Sequence, residues 1–254
     1  MIGIKDYFHN LTHKVTINVV GVGGTGSHVI NNLCKIHKTL RKLNHPGLHV
    51  IAYDNDIIEE NNIGRQLYFP QDIGKNKATT IISRANRSYG LSWEAIPERF
   101  LFYNTPANFI ITCIDTLSLR LDLSEFTIKR NTQVHEKNFY WIDIGNNKMK
   151  GQIYLNDFGN TMPNLLTVFP SIIDDHPKEH QSCSIIDSLN SQELFINECM
   201  AMLATDMLYR FLKNKEIKHN LIFVDLENYN IQSKKIINEK KEEIVSRRVA
   251  TRSL

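Results

Sequence analysis

The sequence predicts an α/β fold built on a doubly wound, mostly parallel sheet. Two observations carry that prediction. An apolar run, VTINVV (15–20), ends in the glycine-rich stretch GVGGTGS (21–27), which passes straight into helical periodicity. Short β-branched runs then alternate with amphipathic stretches as far as residue 145. Repeated strand–helix–strand units produce this alternation.

Taken in order, VTINVV reads as a buried strand. Residues 27–43 read as a helix with Ile30, Leu33, Cys34 and His37 on one face. HPG (45–47) is a turn and LHVIAY (48–53) a second strand. Residues 75–88 suit a helix, LSWEAI (91–96) a short strand, NFIITCI (108–114) a buried strand and SLRLDLSEFTIKR (118–130) a helix. FYWIDIG (139–145) and KGQIYLND (150–157) read as two more strands. The order of these elements is Rossmann-like. Residues 158–183, with Gly159, Pro163, Pro170 and Pro177, predict a long crossover loop. A helix over 190–213 and a strand over NLIFVDLENYNI (220–231) complete the pattern. One domain is expected over residues 1–232, with its nucleotide-binding half at 15–145 and a charged tail at 233–254.

Composition narrows the class. Hydrophobic residues make up 42% of the 254 and charged residues 22%, as in a globular protein with a sizeable core. No window approaches 18 uninterrupted apolar residues, and MIGIKDYFHN lacks a basic region followed by an apolar core, so a cytoplasmic chain is expected. The net charge of +3 is unevenly placed. The tail holds seven basic residues against three acidic ones, which leaves residues 1–232 at −1. That excludes a uniformly basic nucleic-acid-binding domain and leaves only the tail as a nucleic-acid contact. Cys34, Cys113, Cys183 and Cys199 form no C-x-x-C pair, which argues against a four-thiolate zinc site. Cys34, Cys113 and Cys199 read as core residues.

Gly21, Gly23 and Gly26 fit G-x-G-x-x-G between a strand and a helix. Without side chains the backbone can approach a pyrophosphate, and helix N-terminal N–H groups face its charge. The motif does not choose between a dinucleotide and ATP. Asp54, at the end of the second strand, can accept the ribose hydroxyls of either; Asp56 beside it suits the site or a turn. The next residues separate the two. Asn62, Arg65, Gln66, Lys75 and Lys77 gather cations and carboxamides near the phosphates, which suits a triphosphate attacked at its α-phosphate. Asp115 closes the strand NFIITCI at the ligand-binding edge, where one carboxylate plus phosphate oxygens can hold Mg²⁺.

The combination GVGGTGS, DNDIIEENNIGRQ, GKNK and CID (113–115) resembles the ThiF/MoeB-like superfamily of ubiquitin-activating-type adenylyltransferases, over about residues 15–145 and more loosely beyond. DIGNNKMKGQIYL, SCS (182–184), QELFIN (192–197) and NLIFVDLEN are similar to the ThiF-like family of the PRTRC system, genes of bacterial mobile elements.

The resemblance implies that Gly21, Gly23, Gly24 and Gly26 hold the ATP phosphates and Asp54 the ribose. Asn62 and Arg65 would contact the triphosphate with Gln66 beside them, Lys77 would follow (Lys75 being its near rival), and Asp115 would bind magnesium. It also implies an acyl-adenylate formed on a carboxylate, commonly the C-terminal glycine of a small ubiquitin-like β-grasp protein, and a homodimer. Cys183 stands near where many relatives carry a thioester-forming cysteine, with His176 and His180 close in sequence. Two features depart from the family. The zinc-binding cysteine pairs are missing, so no structural zinc is expected. The N-terminal arginine that reaches a partner's ATP is missing too, and residues 1–14 offer only Lys5 and Lys14. Three alternatives stand beside this reading: an NAD(P)-dependent oxidoreductase, a non-catalytic nucleotide-binding scaffold, and activation of a small-molecule or RNA-linked carboxylate.

Overall fold

The computed structural model describes residues 1–101, 107–114, 117–130, 140–158, 161–170 and 193–238. Its strands in chain order are β1 (Ile2–Gly3), β2 (Val15–Val20), β3 (Leu48–Tyr53), β4 (Glu94–Ile96), β5 (Phe109–Thr112), β6 (Tyr140–Asn146), β7 (Lys150–Asn156), β8 (Glu216–Ile217), β9 (Leu221–Asp225) and β10 (Asn230–Lys234). The helices are α1 (Gly24–Lys42), α2 (Lys77–Tyr89), α3 (Leu117–Arg130), α4 (Leu165–Val168) and α5 (Ile196–Asn214). Eight strands form one sheet in the order β10-β9-β7-β6-β5-β2-β3-β4, and β1 pairs with β8 in a separate ladder.

The strands from β4 to β6 run parallel, which bears out the predicted doubly wound half. The chain winds outward from β2 through β3 to β4, then returns to the other side of β2 as β5 and β6. The winding therefore reverses between β2 and β5, and open sheets of this class bind ligands in the crevice at that point. Register lines up the strand ends there. Val20 lies opposite both Tyr53 and Thr112, and Thr112 lies opposite Asp143. Gly21, Asp54 and Cys113 consequently leave the sheet side by side.

The other half of the sheet is antiparallel. Three residues join β6 to β7, far too few for the crossover that a parallel pair needs. The stretch 220–231 is not one strand but the start of a hairpin. Asp225 takes the N–H and the side-chain amide of Asn228, which turns the chain into β10. The sheet therefore runs two residues into the segment read as tail. The predicted crossover loop contains the short helix α4, and its residues 159–160 and 171–183 lie outside the described residues.

Alternation along the strands builds a core on each face. Ile17, Val19, Phe109, Ile111, Tyr140 and Ile142 face α1, α2 and α5, whose Ile30, Leu33, Ile82, Met200 and Leu208 cover them. Val20, Tyr53, Ile110, Trp141 and Tyr154 face the opposite way, under Leu123 of α3 and Leu165 of α4. Among the described residues no helix is long and apolar enough to cross a membrane.

Candidate functional site

The helix after β2 begins three residues earlier than the periodicity suggested, inside the glycine stretch at Gly24. The glycines serve different needs. A Cβ on Gly26 would lie 1.9 Å from the Gly21 carbonyl oxygen, and one on Gly21 would meet the Cys113 carbonyl at 2.8 Å. These two let α1 press against the ends of β2 and β5. A Cβ on Gly24 would meet the Asn197 carboxamide of α5 at 2.8 Å. At Gly23 the nearest atoms among the described residues are those of the Gln66 carboxamide, at 3.8 Å, so none of their packing requires glycine there. The first N–H groups of α1, which no helix can satisfy internally, open beside it.

Asp54 and Tyr68 frame this loop. Asp54 Oδ2 accepts the Val22 N–H at 2.7 Å and Oδ1 accepts the Asp56 N–H at 2.9 Å. Burial pushes the Asp54 carboxyl above the ordinary carboxylate value, while these two N–H bonds and the Lys77 charge pull it back. The Tyr68 hydroxyl donates to the Val22 carbonyl at 2.6 Å, with the Lys77 carbonyl 3.3 Å away. Burial pushes the Tyr68 phenol upward, so it stays a donor. Nothing in the sequence marked Tyr68, which stands where an apolar core residue would do.

Lys77 opens α2. Its side chain is 10% exposed, and its amine reaches Asp56 Oδ2 at 3.0 Å, while the Asp56 carboxylate is 59% exposed. Lys75, the rival position, is largely exposed and stands 3.9 Å from Asp72. The Asp56 carbonyl also accepts the Lys77 N–H, while the side-chain cap of α2 comes from Asn76.

Asn62, Arg65 and Gln66 lie on one tight turn. Gly64, at φ +90, permits the bend, and the Gln66 N–H returns to the Asn62 carbonyl at 3.1 Å. The Asn62 side chain is spent on the turn itself, accepting from the Glu59 N–H and donating to Asn61. Arg65 is half-buried. Gln66 is 8% exposed, yet its Oε1 meets no hydrogen-bond partner among the described residues. Rotating the carboxamide by half a turn exchanges Oε1 and Nε2, so either atom can face Gly23. Ser27 Oγ ties α1 to this turn by accepting the Leu67 N–H at 3.2 Å.

Asp115, Cys183, His176 and His180 lie outside the described residues. Ile114, the last described residue before Asp115, packs against Gly21. Cys113, expected in the core, is only half-buried, because it sits where the strand gives way to the crevice. Cys34 is buried, and burial pushes its thiol up to about 12, so it is inert packing. Among the described residues no cluster of His, Cys, Asp and Glu could hold a metal ion. Lys5 is engaged away from the crevice. Its N–H binds the Tyr140 hydroxyl at the start of β6, and its amine lies over the Tyr140 ring.

Two further groups were not anticipated. Thr25 of α1 donates to the buried Asn197 Oδ1 at 2.9 Å, and Asn146, ending β6, donates to the same oxygen at 3.3 Å. Asp143 of β6 accepts from Thr112 at 2.7 Å and from Arg120 Nε at 3.0 Å. Both groups combine residues far apart in sequence at the carboxyl edge of the sheet.

Comparison with known proteins adds the family. No curated protein sequence matches the chain. Among solved structures it is similar to E. coli MccB with MccA, at 18% identity and TM-score 0.63, over 89% of this chain and 65% of MccB. It is likewise similar to E. coli MccB with ATP, at 19% identity and TM-score 0.61, over 88% and 64%. A third is PaaA, at 16% identity and TM-score 0.58, also over 88% and 64%. The chain therefore spans just under two thirds of the length of these relatives. The sequence model of the ThiF family matches residues 5–245, and the chain belongs to that family.

Proposed function

We propose that this chain is an ATP-dependent adenylyltransferase that activates a carboxylate. The observation that carries the reading is the Gln66 carboxamide, buried over the open face of Gly23 with an unpartnered oxygen. A buried polar group without a partner is costly and calls for a polar partner, which a bound ligand or a water supplies. The free N–H groups of α1 beside it and Lys77 behind it suit phosphates. The E. coli MccB structures, one with ATP and others with MccA, support the reading at the level of a shared fold.

In the proposed reaction a carboxylate oxygen attacks the α-phosphorus of ATP, the bond to the bridging oxygen breaks, and pyrophosphate leaves. For this step the chain supplies positioning and charge neutralisation, with no obligatory protein nucleophile. The α1 amides and the glycines face the phosphates. Asp54 keeps lone pairs for the ribose hydroxyls, with Asp56 holding Lys77 in place. Arg65, Gln66 and Lys77 line the triphosphate, and Asn62, expected there too, shapes the turn that carries Arg65 and Gln66. Asp115 would hold Mg²⁺ against phosphate oxygens, and the ion would add neutralising charge.

The finer readings rest on the sequence resemblance: a β-grasp carrier ending in glycine as substrate, a thioester on Cys183, a homodimer, and the PRTRC-type subfamily. Exchange of labelled pyrophosphate into ATP, dependent on such a carrier, tests the function. Mg-ATP binding without exchange for any carboxylate-terminated protein or small acid leaves a scaffold, and thermal stabilisation by NAD alone leaves an oxidoreductase. A DTT-sensitive carrier conjugate that vanishes in Cys183→Ser tests the thioester, and light scattering tests the dimer.

A further inference from the structure

We infer that Tyr68 is a positioning residue for the nucleotide: its hydroxyl orients the Val22–Gly23 peptide so that the Gly23 N–H faces the phosphate site. The inference rests on the nucleotide reading above.

The geometry follows from peptide planarity. In a trans peptide the carbonyl and the N–H point in opposite directions. The Tyr68 hydroxyl, on a ring 2% exposed, draws the Val22 carbonyl inward at 2.6 Å. The N–H of the same peptide, that of Gly23, is sent outward and meets no acceptor among the described residues. The preceding peptide is pinned in the opposite sense. Asp54 draws in the Val22 N–H, and the Gly21 carbonyl turns toward Gly26, whose Cβ it would exclude at 1.9 Å. Val22 is thus held at both of its polar atoms, by one side chain each.

A clamp is needed because a glycine follows. Gly23 tolerates either orientation of the peptide before it, so nothing local stops that peptide from flipping and presenting a carbonyl oxygen to the phosphates. Tyr68 has one proton, and of its two neighbouring carbonyls Val22 is the nearer by 0.7 Å. Replacing Tyr68 with Phe keeps the ring packing and removes the hydroxyl, and with it the clamp and the longer contact to the Lys77 carbonyl.

The test compares ATP and adenosine binding by calorimetry in the full chain, Tyr68→Phe, and Tyr154→Phe as a control. Tyr154 is another buried tyrosine, whose hydroxyl binds the Pro163 carbonyl away from the loop. The expected result is ATP affinity about three- to tenfold weaker in Tyr68→Phe, adenosine unchanged, and both unchanged in Tyr154→Phe. Unchanged ATP affinity in a folded Tyr68→Phe overturns the inference and leaves the nucleotide reading intact. Equal losses for ATP and adenosine, or an ATP loss in Tyr154→Phe as well, overturn it in favour of a general packing role. Absence of ATP binding in the unsubstituted chain removes both. Should the phenylalanine variant not fold, 4-fluorophenylalanine at position 68 fills the hydroxyl's volume without donating and gives the same comparison.

Discussion

Arg120 and Asp143 form a buried ion pair at the carboxyl edge of the sheet, Nε to Oδ1 at 3.0 Å, with the aspartate fully enclosed. The same guanidinium also donates to the Ile144 carbonyl at 3.0 Å. Arg120 lies in the first turn of α3, so the pair ties that helix to β6 immediately after the segment containing Asp115. Removing one partner of such a pair leaves an uncompensated charge in the interior. Arg120→Ala should therefore lower stability by about 3–5 kcal/mol in urea unfolding. The double variant Arg120→Leu/Asp143→Leu should recover most of that loss. A double variant as unstable as the single one would mean that the cost lies in packing around Arg120.

Gly24 and Asn197 make a second prediction across the fold. Alanine at 24 would put its Cβ within 2.8 Å of the Asn197 carboxamide, which Thr25 and Asn146 hold in place. Gly24→Ala should cost about 1–3 kcal/mol. Asn197→Ala opens the space, so the double variant should be more stable than the sum of the two singles. Strict additivity in thermal or urea unfolding would show that the contact is relieved by movement of α5 instead.

The fold was legible in sequence wherever periodicity and connection length agree. β2, β3 and the buried face of α1 follow from apolar spacing, Asp54 stands out as a charged residue just past a strand end, and Lys77 as a cation opening a helix. The antiparallel half was harder, because β6 and β7 are as apolar as the parallel strands; only the three-residue link between them betrays the hairpin. Tyr68, Asn197 and the Arg120–Asp143 pair were illegible for another reason. Each acts through a partner 23 or more positions away, and no local pattern distinguishes a buried tyrosine that donates from one that only packs.

The competition between Lys75 and Lys77 can be decided by kinetics. Lys77 is enclosed and aimed by Asp56, whereas Lys75 is solvated beside Asp72. A cation that neutralises charge in the transition state is worth about 10²–10³ in rate. Lys77→Met should lower ATP–pyrophosphate exchange by about that factor, with Lys75→Met within about twofold of the unsubstituted chain. Equal losses in the two variants would assign the effect to the local field and not to one amine.

Asp54 should give stability a pH dependence of unusual sign for a carboxylate. Burial raises its carboxyl above the ordinary value of 3.8, although Val22 and Asp56 donate to it. Below 3.8 the group is protonated in both folded and unfolded chains and contributes no pH dependence. Between that value and the raised folded-state value the folded chain retains a proton that the unfolded chain has lost, so stability falls as pH rises. Above the folded-state value both are ionised and the penalty is constant. Asp54→Asn cannot titrate. The stability of the unsubstituted chain minus that of Asp54→Asn should therefore decline with rising pH across this window and then level off. Urea midpoints from about pH 3.5 to about pH 7 measure it. A difference that instead grew with pH would mean that the two N–H bonds outweigh burial, and that the loop favours the charged carboxylate even without a ligand.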